Sequence, residues 1–399
     1  KLHVKDGKLT YVEGDPDNPV MRGALCPRCL TLKEYIYHPD RLLYPIKRAR
    51  EDRGKDKWER ISWDEAFDTI AEKAKYCLEN YGSESIMGAT GTGREASVYI
   101  KQFLFMALGG TSPVYPQSGN ACFYPRVAAM AYLIGSGYPE MDYAGQFPDR
   151  YEDPRWEASK YVIVWGKQPL ASNPDGLWGH ALIDLMKDHG TKIICVDPAI
   201  TWLNSRAEFT IQLRPGTDTA LALAMLNVII GEDLYNHDFV DKWTYGFEQL
   251  AERVKEYTPE WAAEVCDVPV EQIYEVARLY ATNHPSCILW GLAIDQNVNG
   301  IQCAQCILDL MAITDNLDVP GGNIFGEPRR DDPINDAMRL ALEEGTITAE
   351  KYYNRLGIKE YPSMQILNEC HPDMMLECLE TGEPYQVHMA YIQSTNIVY

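Results

Sequence analysis

No stretch of this 399-residue chain reaches the roughly 18 consecutive apolar residues that a membrane-spanning helix requires. The start, "KLHVKDGKLTYVEGD", has no charged segment leading into an apolar one, so no signal peptide is visible. Basic runs are absent and the formal net charge is −21, which argues against nucleic acid as a partner, because phosphates need Lys and Arg. Neither a Walker A motif nor a complete G-x-G-x-x-G is present; "GTGREAS" keeps only the first two glycines, which disfavours plain ATP or NAD. Internal repeats and low-complexity tracts are missing too. The eleven cysteines are odd in number and irregular in spacing, unlike a disulfide framework, and fit a reducing or anaerobic setting.

What is there belongs to a folded protein. Hydrophobic residues make up 46% and charged ones 24%, and the length implies two or three domains. The acidity reads as solubility. The chain opens in a strand-like stretch without an initiator Met and stops after another, "MAYIQSTNIVY", which predicts a piece of something longer.

Residues 1–25 read as two short strands around "DGK". "SWDEAFDTIAEKAKYCLENYG" reads as a helix with a capping box, Ser62 with Glu65, ending at Gly82. Its apolar positions Ala66, Ile70, Ala74 and Cys77 keep to one face. A strand, "SIMGAT", and a long apolar helix from Ala96 to Leu108 follow. From about residue 155 the chain alternates: strands "KYVIVWG", "TKIICVDP", "FTIQLRPGTD" and "CILWGLA" are separated by helical stretches. That alternation predicts βαβ units and a parallel, doubly wound sheet. For the helix "TDTALALAMLNVII", Thr217 or Asp218 can serve as N-cap.

Two Cys-x-x-Cys pairs occur, Cys26/Cys29 and Cys303/Cys306, almost three hundred residues apart. The second pair lies in an apolar helical pattern and reads as small core residues, so a four-cysteine zinc site is disfavoured. The first pair is left as half of a metal site. Ligands of parallel sheets gather at the carboxyl ends of strands where a helix follows. Three loops meet that description: 165–174, 197–206 and 214–221. Each alone is ordinary turn chemistry; three at successive strand ends favour a large nucleotide cofactor.

These segments, in this order, resemble the molybdenum or tungsten oxidoreductases that carry two molybdopterin guanine dinucleotides, the dimethyl sulfoxide reductase family. "EGDPDNPVMRGALCPRC", "YHPDRLLYPIKR" and "WERISWDEAFDTIA" look like the family's N-terminal signature. "VDPAIT", "LRPGTDTALALAM", "GLAIDQNVNG" and "LMAITDNLDVPGGNIFG" look like its dinucleotide-binding segments. The resemblance implies four regions. Residues 1–50 would be the C-terminal part of an iron–sulfur domain, and 51–150 the first part of a split α/β domain carrying the metal ligand. Residues 151–326 would be the dinucleotide-binding domain, built on a doubly wound, mostly parallel sheet, and 327–399 a return to the split domain. Cys26 becomes one ligand of a 4Fe–4S cluster whose other three ligands lie upstream, Cys29 a bystander where the family has Gly, and Arg28 the cation between cluster and pterin. "QSGNACFYPRVAA" falls where relatives present the metal ligand, so Cys122 would bind Mo or W, with Phe123 and Arg126 beside it. The cofactor-binding candidates are Arg28, Gly166, Ser172, Asn173, Asp197, Pro215, Gly216, Asp218, Gln296 and Asn396.

Departures sharpen the expectation. Gln168 stands where the family's "GxNP" has Asn, Ala199 where an Arg follows "VDP", and Asp315 where a Gly precedes Asn316. Phe123 stands where formate dehydrogenases have His, which argues against formate and points toward acetylene hydratase and catechol dehydroxylases. The expected activity is that of an anaerobic bis-pterin oxidoreductase catalytic subunit acting on a small organic substrate, such as reductive dehydroxylation of a phenol. The alternatives are a non-redox hydratase or transhydroxylase with the same cofactor, and a metal-free iron–sulfur scaffold subunit. An iron–sulfur electron-transfer subunit is the expected partner. Location stays open between cytoplasm and twin-arginine export.

Overall fold

The structure, a computed structural model, describes residues 1–18, 21–91, 97–114, 122, 124–135, 138–142, 154–171, 177–325, 337–366 and 369–395. The chain divides into two compact units, Lys1–Glu34 with Ala121–Pro328, and Tyr35–Asn120 with Arg329–Tyr399. In chain order the strands are β1 (Leu2–Lys5), β2 (Lys8–Val12), β3 (Ile46–Lys47), β4 (Glu59–Arg60), β5 (Ile86–Thr90), β6 (Pro113–Val114) and β7 (Pro139–Met141). They continue as β8 (Tyr161–Trp165), β9 (Lys192–Val196), β10 (Phe209–Ile211), β11 (Cys287–Trp290), β12 (Asn323–Phe325) and β13 (Met389–Gln393).

In the first unit β1 and β2 form the expected hairpin, turned by Asp6 at φ 49° and Gly7 at φ 72°. The central sheet runs β10-β9-β8-β11 and is parallel at every pairing. Its strands are apolar at nearly every position because both faces are covered. Ile163, Trp165, Ile194, Val196, Ile288 and Trp290 enter one apolar layer, while Val162, Val164, Ile193, Cys195 and Leu289 enter the other. Helix Leu177–Asp188 covers the second layer through Leu182 and Leu185. Helices Asp218–Gly231, Val270–Thr282 and Gly300–Ile313 cover the first. Helix Asp218–Gly231 is apolar all round, as its packing against three other helices requires. Cys303 and Cys306 are 1% and 8% exposed in this layer, as their helical spacing predicts, and burial pushes the Cys306 thiol up to about 12. The strand order puts β8 between β9 and β11. The chain therefore leaves β8 toward one edge and returns on its other side at β11, which creates a crevice outside the carboxyl ends of those two strands.

In the second unit β5 lies between β6 and β13, all parallel. Helix Trp63–Tyr81 starts as its sequence predicts: Glu65 N–H donates to Ser62 Oγ at 3.0 Å, and Gly82 ends it at φ 84°. The reciprocal half of the box is absent, because the Glu65 carboxylate accepts from Lys47 instead. Ala74 and Cys77 are buried, but Ile70 on the same expected face is 45% exposed. The helix expected over Ala96–Leu108 is α-helical only from Ser97 to Lys101 and π-helical over Gln102–Ala107. The wider turn seats Leu104 and Phe105 in the core side by side. Gly88 leaves the room: a Cβ there would lie 2.4 Å from Leu104 Cδ1.

Candidate functional site

The loops after β8 and β11 press against each other at the crevice. Gly166, at φ 57°, donates its N–H to Val196 O, and a Cβ there would come within 2.7 Å of Ala293 Cβ. A Cβ on Gly291 would meet Gly166 O at 2.5 Å. Only glycine fits at both positions. Cys122 is half-buried, in a turn just ahead of helix Tyr124–Ile134.

That helix is held to the β11 loop by Arg126. Its backbone N–H donates to Asp295 Oδ1 at 3.1 Å, its Nε to Asp295 Oδ2 at 2.7 Å, and its Nη1 to Trp290 O at 3.5 Å. Both partners are buried, at 5% and 2% exposure. The guanidinium stands 5.4 Å from the Tyr138 ring centroid and 5.5 Å from that of Trp290. Burial raises the Asp295 carboxyl, and the adjoining Arg126 charge opposes that rise. Arg126 thus acts on the position of the helix that follows Cys122, with its charge engaged by Asp295.

The other candidates distribute plainly. Asp197 follows β9 and turns its own loop, accepting Ala199 N–H at 2.8 Å. Pro215 and Gly216 are exposed in the loop before helix Asp218–Gly231, Gly216 at φ 87° with Asn297 Oδ1 3.4 Å from where a Cβ would be. Asp218 is 7% exposed and accepts Trp165 Nε1 at 2.9 Å; burial raises its carboxyl. Thr217 holds the N-cap position without capping, since its hydroxyl donates to Arg214 O at 2.7 Å. Gln296 is exposed at the end of the β11 loop. The fold therefore gathers Gly166, Asp197, Pro215, Gly216, Asp218 and Gln296 at the carboxyl edge of one sheet, with Arg126 on the helix bound to it and Cys122 just ahead of that helix. Phe123, Ser172, Asn173 and Asn396 lie outside the described residues.

Cys26 and Cys29 bracket the first turn of helix Pro27–Leu30, with Sγ atoms 3.8 Å apart. The Cys29 backbone N–H, the Cys29 thiol and the nearby Arg28 lower the Cys26 thiol, whereas its bond to Cys26 raises that of Cys29. Arg28 is exposed. An ion pair at 2.5 Å, Arg22 to Asp184, ties this segment to helix Leu177–Asp188. Among the described residues no group of three or more His, Cys, Asp or Glu could hold a metal ion. No described helix is long and apolar enough to cross a membrane.

Sequence reasoning missed Asp295, Tyr138, Glu140 and Trp290. Asp295 stands 169 residues from Arg126, and no spacing rule connects them. Two buried polar atoms here, Glu140 Oε2 and Trp290 Nε1, have no partner among the described residues. Orphaned buried groups of this kind fit an edge completed by a bound ligand.

A parallel α/β unit with a glycine-shaped crevice at a reversal of strand order belongs to the class that binds nucleotide-type cofactors. The chain is a member of the molybdopterin oxidoreductase family: residues 41–392 match "Molybdopterin oxidoreductase" and residues 1–38 match "Molybdopterin oxidoreductase Fe4S4 domain". It is 32% identical to acetylene hydratase of Syntrophotalea acetylenica, over 98% of this chain and 54% of that protein. It is 30% identical to the probable dimethyl sulfoxide reductase chain YnfF of Escherichia coli, over 81% and 42%. The solved structure of acetylene hydratase from Pelobacter acetylenicus superposes with a TM-score of 0.82 at 28% identity, covering all of this chain and 55% of that one. The chain spans about half the length of the relatives it matches. Membership implies a molybdopterin cofactor and an Fe4S4 cluster domain.

Proposed function

We propose that this chain carries the cofactor-holding crevice and metal ligand of a bis-pterin molybdenum or tungsten enzyme that reductively dehydroxylates a small phenolic compound. The observation that carries this reading is the Arg126–Asp295 clamp, which fixes the Cys122 helix at the crevice between β8 and β11. When bound, the cofactor's metal supplies two-electron or Lewis-acid chemistry. Cys122 would give that metal a thiolate. Gly166, Ser172, Asn173, Asp197, Pro215, Gly216, Asp218 and Gln296 would hold dinucleotide on the doubly wound sheet, and Asn396 is a further cofactor-binding candidate. Cys26 would hold one corner of the cluster, with Arg28 as a fixed cation beside it. Phe123 would offer an apolar wall to an aromatic substrate. Arg126 is assigned to positioning rather than to substrate contact, because its charge already engages Asp295.

A second reading, hydration of an unsaturated hydrocarbon without electron flow, is favoured by the 32% identity to acetylene hydratase. One set of assays on anaerobically purified holoenzyme separates the two. Elemental analysis should find Mo or W, and acid release should yield GMP. Catechol should be consumed only with a reduced low-potential donor, giving phenol and water. Acetylene turnover without any donor would favour the second reading. Absence of both metal and GMP would sink both, in favour of an iron–sulfur scaffold.

A further inference from the structure

We propose that Glu140 is the proton-carrying residue of this site, giving its proton to the departing hydroxyl oxygen of the substrate. The inference rests on the dehydroxylation reading above. Glu140 is the middle residue of β7, which pairs antiparallel with β12 and sets Glu140 opposite Ile324. Its neighbour Met141 is fully buried in the layer of Val162, Val164 and Leu289. Alternation along a strand turns Glu140 to the other side. There the charges that reach it are Lys167, just past β8, and Arg126. Tyr138 stands just ahead of that strand, within electrostatic reach of Glu140, Arg126, Asp295 and Cys122. From the elements packed on β7, β12 contributes no ionisable group, and the only one on β11, Cys287, lies in the opposite layer with Met141.

The decisive observation is that Glu140 Oε2 is closed to solvent and has no hydrogen-bond partner among the described residues. An orphaned buried oxygen destabilises a fold, and glutamine or leucine would remove the charge. Arg126, one of those two cations, gives both its backbone N–H and its Nε to Asp295. Burial favours the protonated carboxyl, against the pull of Lys167 and Arg126. A proton on Oε2 has no acceptor among the described residues and is available to a ligand. The same two cations stabilise the carboxylate left behind, so the group can cycle. The balance closes as one phenolic C–O bond broken and one C–H and one O–H bond formed. Two electrons come from two equivalents of a reduced one-electron donor. One proton comes from Glu140, which is recharged from water, and the second comes from solvent.

The test uses holoenzyme carrying Glu140→Gln or Glu140→Asp. In infrared spectra at neutral pH, wild type should show a protonated-carboxyl band, shifted in D2O, that Glu140→Gln lacks. This readout needs no turnover. Metal and GMP content should stay at wild-type level in both variants. Turnover should fall roughly 10²- to 10⁴-fold in Glu140→Gln with KM within about threefold, and Glu140→Asp should recover part of it with a displaced alkaline limb. Unchanged turnover and pH profile in Glu140→Gln, or no difference in the carboxyl band, would overturn the proposal. Should Glu140→Gln lose cofactor, Glu140→Asp decides: an unaltered alkaline limb there overturns it. Absence of metal and GMP from wild type would instead mark failure of the function reading, and the infrared band would still report whether Glu140 holds a proton.

Discussion

The two ends of the central sheet both carry cations, and they use them in opposite ways. At the amino end Lys160 and Lys192 stand about half exposed beside a depression of about 510 Å³, with His189 and His284 in its lining. Each lysine faces a solvent-exposed glutamate, Lys160 with Glu157 at 3.2 Å and Lys192 with Glu208 at 3.0 Å. At the carboxyl end Arg126 is buried, engages the buried Asp295, and has near it the Glu140 carboxyl, whose Oε2 has no partner among the described residues. Counting lysines and arginines would not separate the two ends, since Lys167 just past β8 joins Arg126. Desolvation separates them, because burying a charge is costly unless the arrangement compensates it. Cations alone do not mark a site; cations removed from water with unfilled polar atoms nearby do.

Arg126 is the cation whose removal has the largest expected effect. Arg126→Met should leave Asp295 buried without its counter-charge and destabilise the chain by about 3–5 kcal/mol. Urea unfolding measures this. Adding Asp295→Leu to Arg126→Met should recover much of the loss, since the uncompensated charge is then gone. A single variant as stable as wild type would remove the clamp from the account of the Cys122 helix.

How much of this could be read from residues alone divides along the same line. The strands "YVIVW", "KIICV" and "CILW" announce themselves, because a sheet covered on both faces leaves no polar position to blur the run. The crevice loops follow, since each lies directly after such a strand. Thr217 was a reasonable cap by composition, but its hydroxyl found Arg214 O closer at hand. The π-helical turn at Gln102–Ala107 depends on space left by Gly88, which no local propensity encodes. Glu140 was invisible for a different reason. A three-residue strand gives no alternation to read, and its direction is set by pairing with β12 almost two hundred residues later.

Between buried pairs and exposed pairs lies Asp309 on helix Gly300–Ile313, which makes no ion pair among the described residues. Burial alone pushes its carboxyl up to about 7. A folded-state value above the unfolded one, about 3.9, means that the stabilisation is complete below the unfolded value and is lost as pH rises through the folded value. Wild type should therefore lose up to about 4 kcal/mol between pH 4 and 8 from this group. Asp309→Asn should flatten that loss, matching wild type near pH 4 and exceeding it at pH 8. Parallel stability curves for the two proteins would show that burial without pairing has little effect here, and would weaken the emphasis on desolvation.

The smallest effect belongs to the amino end. Lys192 bonds to Glu208 and stands over the Tyr161 ring at 5.7 Å, yet both charged ends reach water. Exposed pairs gain little from Coulomb attraction in high dielectric and must hold two long side chains in one geometry. Lys192→Met should shift the unfolding midpoint by only about 1 °C, and 1 M salt should erase even that difference by screening. The same reasoning applies to ligands. A depression whose lysines already face glutamates offers a free anion little net charge, so millimolar inorganic phosphate should leave the midpoint unchanged in wild type and in Lys192→Met alike. A midpoint that rises with phosphate in wild type but not in the variant would make the amino end a binding surface after all, and burial would then no longer be the feature that separates the two ends.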